Sequence, residues 1–328
     1  MQAIEARRLT KTYPGDITAL DDLSFGVEEG SVFGLLGPNG AGKSTTVKIL
    51  TTLSRPDSGA ASVAGFDILA EAAAVRRAIG VVAQRSGLDR EATGRENLRL
   101  QGQLHDLGGD VLERRVDELM EQFGLADAAG RLVREYSGGM QRRLDIALAL
   151  VHRPQVLFLD EPTTGLDPEV RGEMWKEIAR LTGEEGLTVL LTTHYMEEAD
   201  SLASRLAIVD RGSIVAEGTP DELKRELRGD AIHVELAEAV EDGHVSAVLD
   251  RLDGVRDAVV NGVRFHARAD DGARAVPGVL AALESNGIEV ASVTVARPSL
   301  DDVYLRYTGR TFRSAEAESD QGAKEDGR

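Results

Sequence analysis

A glycine-rich stretch, GPNGAGKST at residues 37–45, carries the residue types that bind phosphate groups. It follows an apolar run, SVFGLLG, and opens a helical pattern, so the order is strand, glycine loop and helix. Glycines let backbone N–H groups turn toward one point at a helix N-terminus, which favours an anion. We expect Lys43 on the β- and γ-phosphates of a nucleotide and Ser44 on Mg²⁺. The phosphate loop comprises Gly37, Pro38, Asn39, Gly40, Ala41, Gly42, Lys43, Ser44 and Thr45.

Two adjacent carboxylates end a second apolar run, VLFLDEP at residues 156–162. Burying adjacent charges is costly, so a strand that ends in Asp160 and Glu161 needs a compensating partner. Asp160 is predicted to hold Mg²⁺, directly or through water. Glu161 is predicted to polarise a water molecule aligned with the γ-phosphate, as a general base or as a water-positioning group. A solvated strand end without a chemical role is the alternative.

The stretch SGGMQRRLDIALAL opens a long helical pattern with two glycines behind a serine. Ser137 is a favourable N-cap, whereas Gly138 and Gly139 are costly in a helix and leave N–H groups uncovered. The pattern predicts a second anion site. One nucleotide could bridge both anion sites within the chain, or each site could serve a nucleotide held by another subunit. A simple helix cap is the third interpretation.

His194 ends the apolar run LTVLLTTH, on what should be a neighbouring core strand. An isolated histidine after a strand is commonly just a polar end residue. Here its imidazole is predicted to bond the γ-phosphate and to help hold the attacking water. The remaining histidines share no ligand spacing and receive no role: His105, His152, His233, His244 and His266.

These groups require a buried parallel sheet to position them. Three apolar runs, at 31–37, 155–160 and 187–194, are short and bounded by turn residues, as in strands covered on both faces. Helical patterns separate them, so 1–227 is predicted to be an α/β domain. Its first segments favour an antiparallel β subdomain, and about 85–155 favours a helical subdomain. RLAIVDRGSIVAEG predicts a hairpin that turns at Arg211–Gly212.

A different pattern follows residue 227. Strand and helix signals alternate as β-α-β-β-α-β over 228–310, which predicts a small α+β domain of the split βαβ, ferredoxin-like type. Asn261–Gly262 is the predicted turn of its hairpin, and Asn286–Gly287 is the predicted stop of its second helix. The polar and acidic tail at 311–328 is predicted to be disordered.

Composition excludes several classes of protein. The chain has 328 residues and no cysteine, so disulfides and cysteine-ligated metals are excluded. Its net charge of −18 argues against a nucleic-acid partner. The acidity fits adaptation to high salt, and the scarcity of lysine beside arginine fits a GC-rich genome. No run reaches the roughly 20 apolar residues of a membrane span, and no signal-peptide core is present, so a cytoplasmic location is expected.

Together these motifs resemble the ATP-binding subunit of an ABC transporter over residues 1–220. Gly37–Ser44 matches the Walker A motif, Val156–Asp160 the Walker B motif and Glu161 the catalytic glutamate. TGLD, which ends in Asp167, matches the D-loop, although Gly165 stands where alanine is common. Further matches are the adenine-stacking aromatic Tyr13, the Q-loop glutamine Gln84, the signature motif Ser137–Gln141 and the switch histidine His194. The resemblance also implies that Gln141 and Asp167 contact the bound nucleotide.

The resemblance implies a P-loop NTPase fold that hydrolyses ATP to ADP and phosphate with Mg²⁺, which Ser44, Asp160 and Gln84 would contact. It also implies two ATPase subunits, a homodimer or a pair, bound head to tail. Ser137, Gly138 and Gly139 of one subunit would then contact the γ-phosphate held by the other. A separate membrane permease would dock on about 85–110 and keep the subunit at the cytoplasmic face of the cell membrane.

The end of the second domain, SLDDVYLRYTGR, resembles ATP-binding proteins of the daunorubicin/doxorubicin-resistance type. That resemblance implies export of drugs, lipids or other hydrophobic compounds. The alternative is a soluble ABC-type ATPase of a non-transport assembly system. An ATPase of DNA repair or chromosome structure would need a long coiled-coil insertion, and the sequence contains no sustained heptad pattern.

Overall fold

The computed structural model describes residues 1–227, 229–238, 242–249, 252 and 254–317. The chain divides into two compact units, Met1–Glu217 and Gly218–Arg328. The first unit contains β1 (Gln2–Tyr13), β2 (Ile17–Glu28), β3 (Val32–Leu36), α1 (Lys43–Leu50), β4 (Ser58–Val63), β5 (Phe66–Asp67), α2 (Ala72–Ala78), β6 (Ile79–Val82), α3 (Gly94–Leu104), α4 (Gly109–Gln122), α5 (Gly138–Leu150), β7 (Val156–Asp160), α6 (Pro168–Glu185), β8 (Thr188–Thr193), α7 (Met196–Leu202), β9 (Arg205–Asp210) and β10 (Ser213–Gly218).

The central sheet of the first unit has the strand order β10-β9-β3-β8-β7-β6. Strands β6, β7, β8, β3 and β9 run parallel. Every residue of β3 and β8 is buried, as the continuous apolar runs predict for a sheet covered on both faces. The carboxyl ends of β3, β7 and β8 lie side by side, so the loops that follow these strands meet at one edge of the sheet.

A separate antiparallel sheet, with the order β2-β1-β4-β5, supplies the predicted β subdomain. The hairpin between β9 and β10 turns at Arg211 and Gly212, whose φ angles are 48° and 83°. Positive φ at both positions is the geometry of a two-residue hairpin loop. A Cβ on Gly212 would lie 2.9 Å from the Ala19 carbonyl oxygen, so this turn requires glycine.

The segment between β6 and β7 carries α3, α4 and α5, where the sequence predicts a helical subdomain. Buried residues from each helix, including Leu98, Val116 and Leu144, belong to one hydrophobic cluster. The Tyr136 hydroxyl is buried there and donates to the Ala128 carbonyl at 2.7 Å. This core fixes the start of α5, which is the helix that begins with the two glycines.

The second unit contains α8 (Pro220–Glu226), β11 (Asp230–Leu236), α9 (Asp242–Leu249), β12 (Val255–Asn261), β13 (Arg264–Ala269), α10 (Gly272–Ser285), β14 (Val290–Ala296) and α11 (Leu300–Thr308). Its sheet has the order β12-β13-β11-β14, and each neighbouring pair is antiparallel. Val245, Val279 and Leu283 of the two covering helices share one hydrophobic cluster with Ile232 and Phe265 of the sheet. The chain order is the expected β-α-β-β-α-β.

Three details differ from the sequence-based expectations. The second hairpin turns at Gly262–Val263, because Asn261 already pairs with Arg264. Helix α8 belongs to the second unit, which therefore begins at Gly218, whereas the sequence placed the border after residue 227. The Tyr307 hydroxyl of α11 donates to Glu226 of α8 at 2.7 Å, which explains that grouping.

The predicted disordered tail, 311–328, begins with ordered structure. Residues 312–317 are helical, and Phe312 and Ala315 are buried. The Phe312 ring meets the ring of Tyr304 edge to face, with 5.0 Å between the centroids, so an apolar anchor holds these residues. The rest of the predicted tail lies outside the described residues. Among the described residues, no helix has the length and apolar character needed to cross a membrane.

Candidate active site

The loop between β3 and α1 is shaped by glycines that a side chain could not replace. A Cβ on Gly37 would collide with the Val209 carbonyl oxygen, and one on Gly42 would lie 2.5 Å from that of Ala19. Gly40 and Gly42 also have positive φ angles of 75° and 109°. Within this fully described loop, no side chain caps the N-terminus of α1. The bare N–H groups and the excluded Cβ atoms fit a phosphate chain.

Lys43 lies inside this loop with only 4% of its surface exposed. Its Nζ donates to the carbonyl oxygens of Gly37 at 2.7 Å and of Pro38 at 3.0 Å. The same ammonium group is 3.5 Å from Glu161 Oε1. The positive charge of Lys43 is therefore held at the centre of the glycine loop, next to the carboxylate that follows β7.

Asp160 receives two hydroxyl groups on one oxygen. Ser44 Oγ donates to Asp160 Oδ1 at 3.1 Å, and Thr192 Oγ1 donates to the same atom at 2.6 Å. A carboxylate next to the hydroxyl of a phosphate loop is a donor set of hard oxygens, which Mg²⁺ prefers. The structure thus brings together two of the three residues predicted for the metal, and the third, Gln84, contacts the neighbouring Glu161.

Glu161 is held tightly in a costly backbone conformation. Its φ angle is 50°, and its N–H donates to the Thr192 carbonyl and hydroxyl oxygens, each at 3.1 Å. Gln84 Nε2 donates to Glu161 Oε2 at 3.1 Å. Strained backbone of this kind persists only where the surroundings fix it, and it is concentrated at functional sites. The carboxylate is thereby aimed at the glycine loop.

The electrostatic surroundings keep Glu161 ionised. Burial raises the pKa of this carboxyl group, but the closeness of His194 and then the charge on Lys43 outweigh burial and bring the pKa to about 2. His194 Nδ1 is 3.4 Å from Glu161 Oε1. That nitrogen is buried and faces the carboxylate, although its geometry falls short of a well-formed hydrogen bond to a described residue.

A cavity of about 340 Å³ joins these parts. It is lined by Ala19, Asn39, Gly40, Gly42, Lys43, Ser44, Thr45, Gln84 and Glu161. The loop, the Q-loop glutamine and the carboxylate after β7 therefore meet at one place, as the sequence predicts. Tyr13 is not among the lining residues; it is half-buried at the end of β1, with Lys11 Nζ 5.7 Å from its ring centroid. Its contact with adenine stays a prediction.

The three small residues of the signature stretch, at the start of α5, have different surroundings. Ser137 Oγ accepts from the Met140 N–H at 3.2 Å, as an N-cap should. A Cβ on Gly139 would lie 2.7 Å from Val170 of α6, whereas a Cβ on Gly138 would meet nothing closer than 4.0 Å. Packing thus accounts for the second glycine but not for the first, whose open face remains for a ligand or a partner.

Gln141 and Asp167 have local structural roles. Gln141 Nε2 donates to the carbonyl oxygen of Tyr136 at 3.0 Å, within its own chain. Asp167 caps α6 by accepting from the Val170 N–H at 2.9 Å. Each bond lies within its own segment: the first supports the start of α5 and the second the start of α6. The contacts predicted for both side chains with nucleotide remain predictions.

Arg142 is a residue that sequence reasoning missed. It is 8% exposed, and its guanidinium group donates to the carbonyl oxygens of Pro162 at 2.6 Å, Ala83 at 2.9 Å and Glu161 at 3.3 Å. It therefore fastens the helix that begins with the signature motif to the backbone beside Gln84 and Glu161. Its neighbours Gln141 and Arg143 are also polar, so no signal in the sequence sets Arg142 apart.

Comparison with known proteins identifies this arrangement. Residues 20–164 match the family model for ABC transporters, and residues 218–308 match the C-terminal domain of ATP-binding proteins like DrrA1-3. The chain is 51% identical over 303 residues to the daunorubicin resistance ATP-binding protein DrrA3 of Streptomyces coeruleorubidus, covering 92% of this chain and 95% of that protein. It is 44% identical over 320 residues to the doxorubicin resistance ATP-binding protein DrrA of Mycobacterium tuberculosis, covering 93% of each.

Solved structures agree with the fold. An ATP-binding subunit of an ABC transporter superimposes with a TM-score of 0.61 at 30% identity, covering 68% of this chain and 92% of that one. A dimeric ATP-binding cassette in a post-hydrolysis state, bound to ADP and Pi, has a TM-score of 0.61 at 28% identity, covering 66% and 98%. The family and the α/β fold expected from the motifs are confirmed. The chain belongs to the ATP-binding proteins of ABC transporters, in the daunorubicin/doxorubicin-resistance group, and it is an ATPase.

Proposed function

We propose that this chain drives the export of hydrophobic compounds through a separate membrane permease, as one of two ATPase subunits that close on ATP and Mg²⁺. The observation that carries the proposal is the buried Glu161 carboxylate, held against the glycine loop by Lys43, Gln84 and His194. The export of hydrophobic cargo is supported by relatives named for daunorubicin resistance, linearmycin resistance and Nod factor export, at 51%, 36% and 40% identity.

The loop residues bind and orient the triphosphate. Backbone N–H groups at the start of α1 face the phosphates, and Lys43 exchanges its bonds with the Gly37 and Pro38 carbonyls for the β- and γ-phosphate oxygens. Ser44 and Asp160 would hold Mg²⁺, with Gln84 next to them. When bound, the ion supplies positive charge that stabilises the charge developing on the phosphate oxygens.

Glu161 orients the attacking water. Its carboxylate is ionised at neutral pH, since its pKa is about 2, and an ionised carboxylate accepts a hydrogen bond from water. Lys43, after His194, is a cause of that low pKa, so the group that would bind phosphate also keeps this carboxylate ionised. His194, which lies beside Glu161 at the same sheet edge, would bond the γ-phosphate and help to hold the attacking water.

The signature stretch completes the site of a second subunit. The Gly138 position is open, and the N–H groups at the start of α5 form an anion-binding helix end. In a head-to-tail homodimer, Ser137, Gly138 and Gly139 of one subunit would contact the γ-phosphate held by the other, and hydrolysis would release the pair. The permease would dock on residues 85–110, which would place the subunit at the cytoplasmic face of the membrane. A soluble assembly ATPase is the alternative, and co-purification with a polytopic membrane protein would decide against it.

The dimer can be tested by size-exclusion chromatography with Mg-ATP. Glu161→Gln should bind ATP, fail to hydrolyse it and elute as a dimer. Adding Gly138→Asp places a carboxylate where the partner's γ-phosphate must lie, so the double variant should elute as a monomer while its own ATP affinity stays close to normal. Gly183→Asp in the Glu161→Gln background is the matched control, because Gly183 is an exposed helical glycine with open space around it.

An ATP-stabilised dimer of the Glu161→Gln, Gly138→Asp chain would contradict the proposal. The two glycines would then serve only as a helix start. Loss of the dimer in the Gly183→Asp control as well would show that any added carboxylate disrupts association, which would also remove the support for a phosphate contact in trans.

A further inference from the structure

Two histidines face each other on the sheet of the second unit. His233 lies in the middle of β11 and His266 in the middle of β13, and the two are direct partners in the antiparallel register. Partner residues point to the same face of a sheet, so the two rings meet. Their Nδ1 atoms are 2.6 Å apart, and the ring planes cross at 85°. At this separation only one of the two nitrogens can carry a proton without repulsion.

Asp302 of α11 is the third member of the cluster. It is 7% exposed, and its Oδ2 accepts from the Ser299 N–H and hydroxyl, each at 2.8 Å, in the capping box of the helix. Its other oxygen, Oδ1, is 3.7 Å from His233 Nε2. One carboxylate oxygen therefore holds the helix start, while the other faces the imidazoles.

These three residues form a ligand set of a recognisable kind. One ligand atom from each lies within 4.8 Å of the others. Two imidazoles and a carboxylate suit borderline divalent cations such as Zn²⁺, whereas Mg²⁺ and Ca²⁺ prefer oxygen alone.

A cavity of about 510 Å³ opens beside the cluster. Its walls include His233, His266 and Asp302 together with Arg264, Leu305 and Phe312. The cavity provides an access path and room for a fourth ligand, as three-ligand zinc sites require. It lies wholly within the second unit and shares no residue with the cavity at the glycine loop.

We propose that His233, His266 and Asp302 bind one divalent transition cation of the Zn²⁺ type. The ion would join the two central strands of the second sheet, β11 and β13, to the first turn of α11. A ligand that binds only the folded state stabilises it, so metal should raise the stability of the second unit. The second unit would then be a domain whose stability depends on a metal ion that ATP hydrolysis itself does not need.

Isothermal titration of the full chain with ZnCl₂ tests the site directly. The protein should carry no polyhistidine tag, and nucleotide should be absent while Mg²⁺ is in excess, so that the Asp160 site does not compete. We expect one equivalent of Zn²⁺ per chain and a higher unfolding temperature. His266→Asn and Asp302→Asn should each weaken binding by about 10-fold or more, because each removes one of three ligands and even the loss of an outer partner of a ligand costs about 10-fold. Asp302→Asn keeps an amide oxygen that can cap α11, so this variant should remain folded.

The chain offers a matched control in a second histidine pair. His105 and His152 stack with 3.7 Å between ring centroids, but among the described residues no carboxylate joins them in such a group. His105→Asn should leave Zn²⁺ affinity unchanged. Co²⁺ provides an independent readout in the unmodified chain, since a four-coordinate site gives an intense visible absorption that Zn²⁺ abolishes.

Unmodified protein that binds no stoichiometric Zn²⁺ would overturn the proposal. So would binding that both substitutions leave unchanged, or that falls equally in the His105→Asn control. In these cases His233 and His266 form only a hydrogen-bonded cross-strand pair.

Discussion

The two units place their polar groups in different parts of a sheet. In the first, Asp160 is the last residue of its strand, and Lys43 and His194 lie beyond the ends of theirs, where loops meet at one edge. In the second, His233 and His266 lie in the middle of antiparallel strands and meet through register. A loop can open to admit a nucleotide and can change its contacts during turnover. A position inside a ladder is fixed by the neighbouring strands, so it suits a static ligand better than a reaction.

Both units also bury an arginine against backbone carbonyls. Arg142 binds the carbonyls of Pro162, Ala83 and Glu161, which belong to the reactive edge. Arg268 binds those of Leu227 and Gly229, which join α8 to β11. The same chemistry therefore supports a catalytic carboxylate in one unit and a connection between structural elements in the other.

The largest expected effect is on ATP hydrolysis, which should depend on a glutamate of the first unit and not on one of the second. Glu161→Gln keeps the shape of the side chain but removes its charge, so ATP hydrolysis should fall by about 10²- to 10⁴-fold while ATP binding persists. Glu289→Gln makes the same change at an exposed position of the second unit and should leave hydrolysis unchanged. Steady-state phosphate release, measured with nucleotide affinity, checks both. Normal turnover by Glu161→Gln would exclude its assigned role.

The second prediction concerns the two arginines. Arg142→Met leaves several buried carbonyls without a donor, so it should destabilise the first unit by about 3 kcal/mol and reduce hydrolysis. Arg268→Met should loosen the second unit by about 1–3 kcal/mol with hydrolysis preserved. Hydrogen exchange, resolved by unit, together with phosphate release measures both effects. Equal loss of hydrolysis in the two variants would remove the distinction between them.

The first site could be predicted from the sequence because most of its residues lie in short contiguous motifs. Each of GPNGAGKST and VLFLDEP joins a strand to chemically suited side chains, and the strands lie where their apolar runs predict. The carbonyl bonds of Arg142 were not predictable, because they depend on how α5 packs over two loops. The pair His233 and His266 was missed for a related reason. Their separation along the chain carries no signal, and only the strand register brings them together.

The limits of local patterns appear in two further places. Composition alone suggested that the chain was disordered from residue 311, whereas a single aromatic contact between Phe312 and Tyr304 orders its start. The Asn261–Gly262 pair predicted a turn one residue early, because the register of β12 with β13 determines which residues are left unpaired. Tertiary contacts decided both cases.

The third prediction concerns how the free energy of unfolding depends on pH through the two histidine pairs, His105 with His152 and His233 with His266. Burial, and then the neighbouring His105, lower the pKa of His152 to about 4, and its Nδ1 has no partner among the described residues. The unfolded chain takes up this proton near pH 6.5, before the folded chain does. His152 therefore costs no stability above about pH 6.5, and its protonation in the unfolded chain lowers the free energy of unfolding as the pH drops toward 4.

Because His152 is only partly buried, we expect its contribution to this loss to be about 1–2 kcal/mol. Urea unfolding at pH 7 and pH 5 should show a smaller difference for His152→Gln than for the unmodified chain. In the second unit, burial and then the neighbouring His233 lower the pKa of His266 in the same direction. Identical acid losses in the two proteins would show that His152 contributes nothing.

The smallest effect is expected from separating the units. The first unit has its own hydrophobic clusters, which lie entirely within 1–217, so a chain that ends at Glu217 should fold and bind ATP. A chain that ends at residue 227 keeps α8 but loses Tyr307, the partner of Glu226, so a protease should trim it back toward 217. Thermal unfolding and limited proteolysis of the two chains check this. Resistance of residues 218–227 to cleavage would place the border where the sequence put it, and failure of both chains to bind ATP would show that the first unit depends on the second.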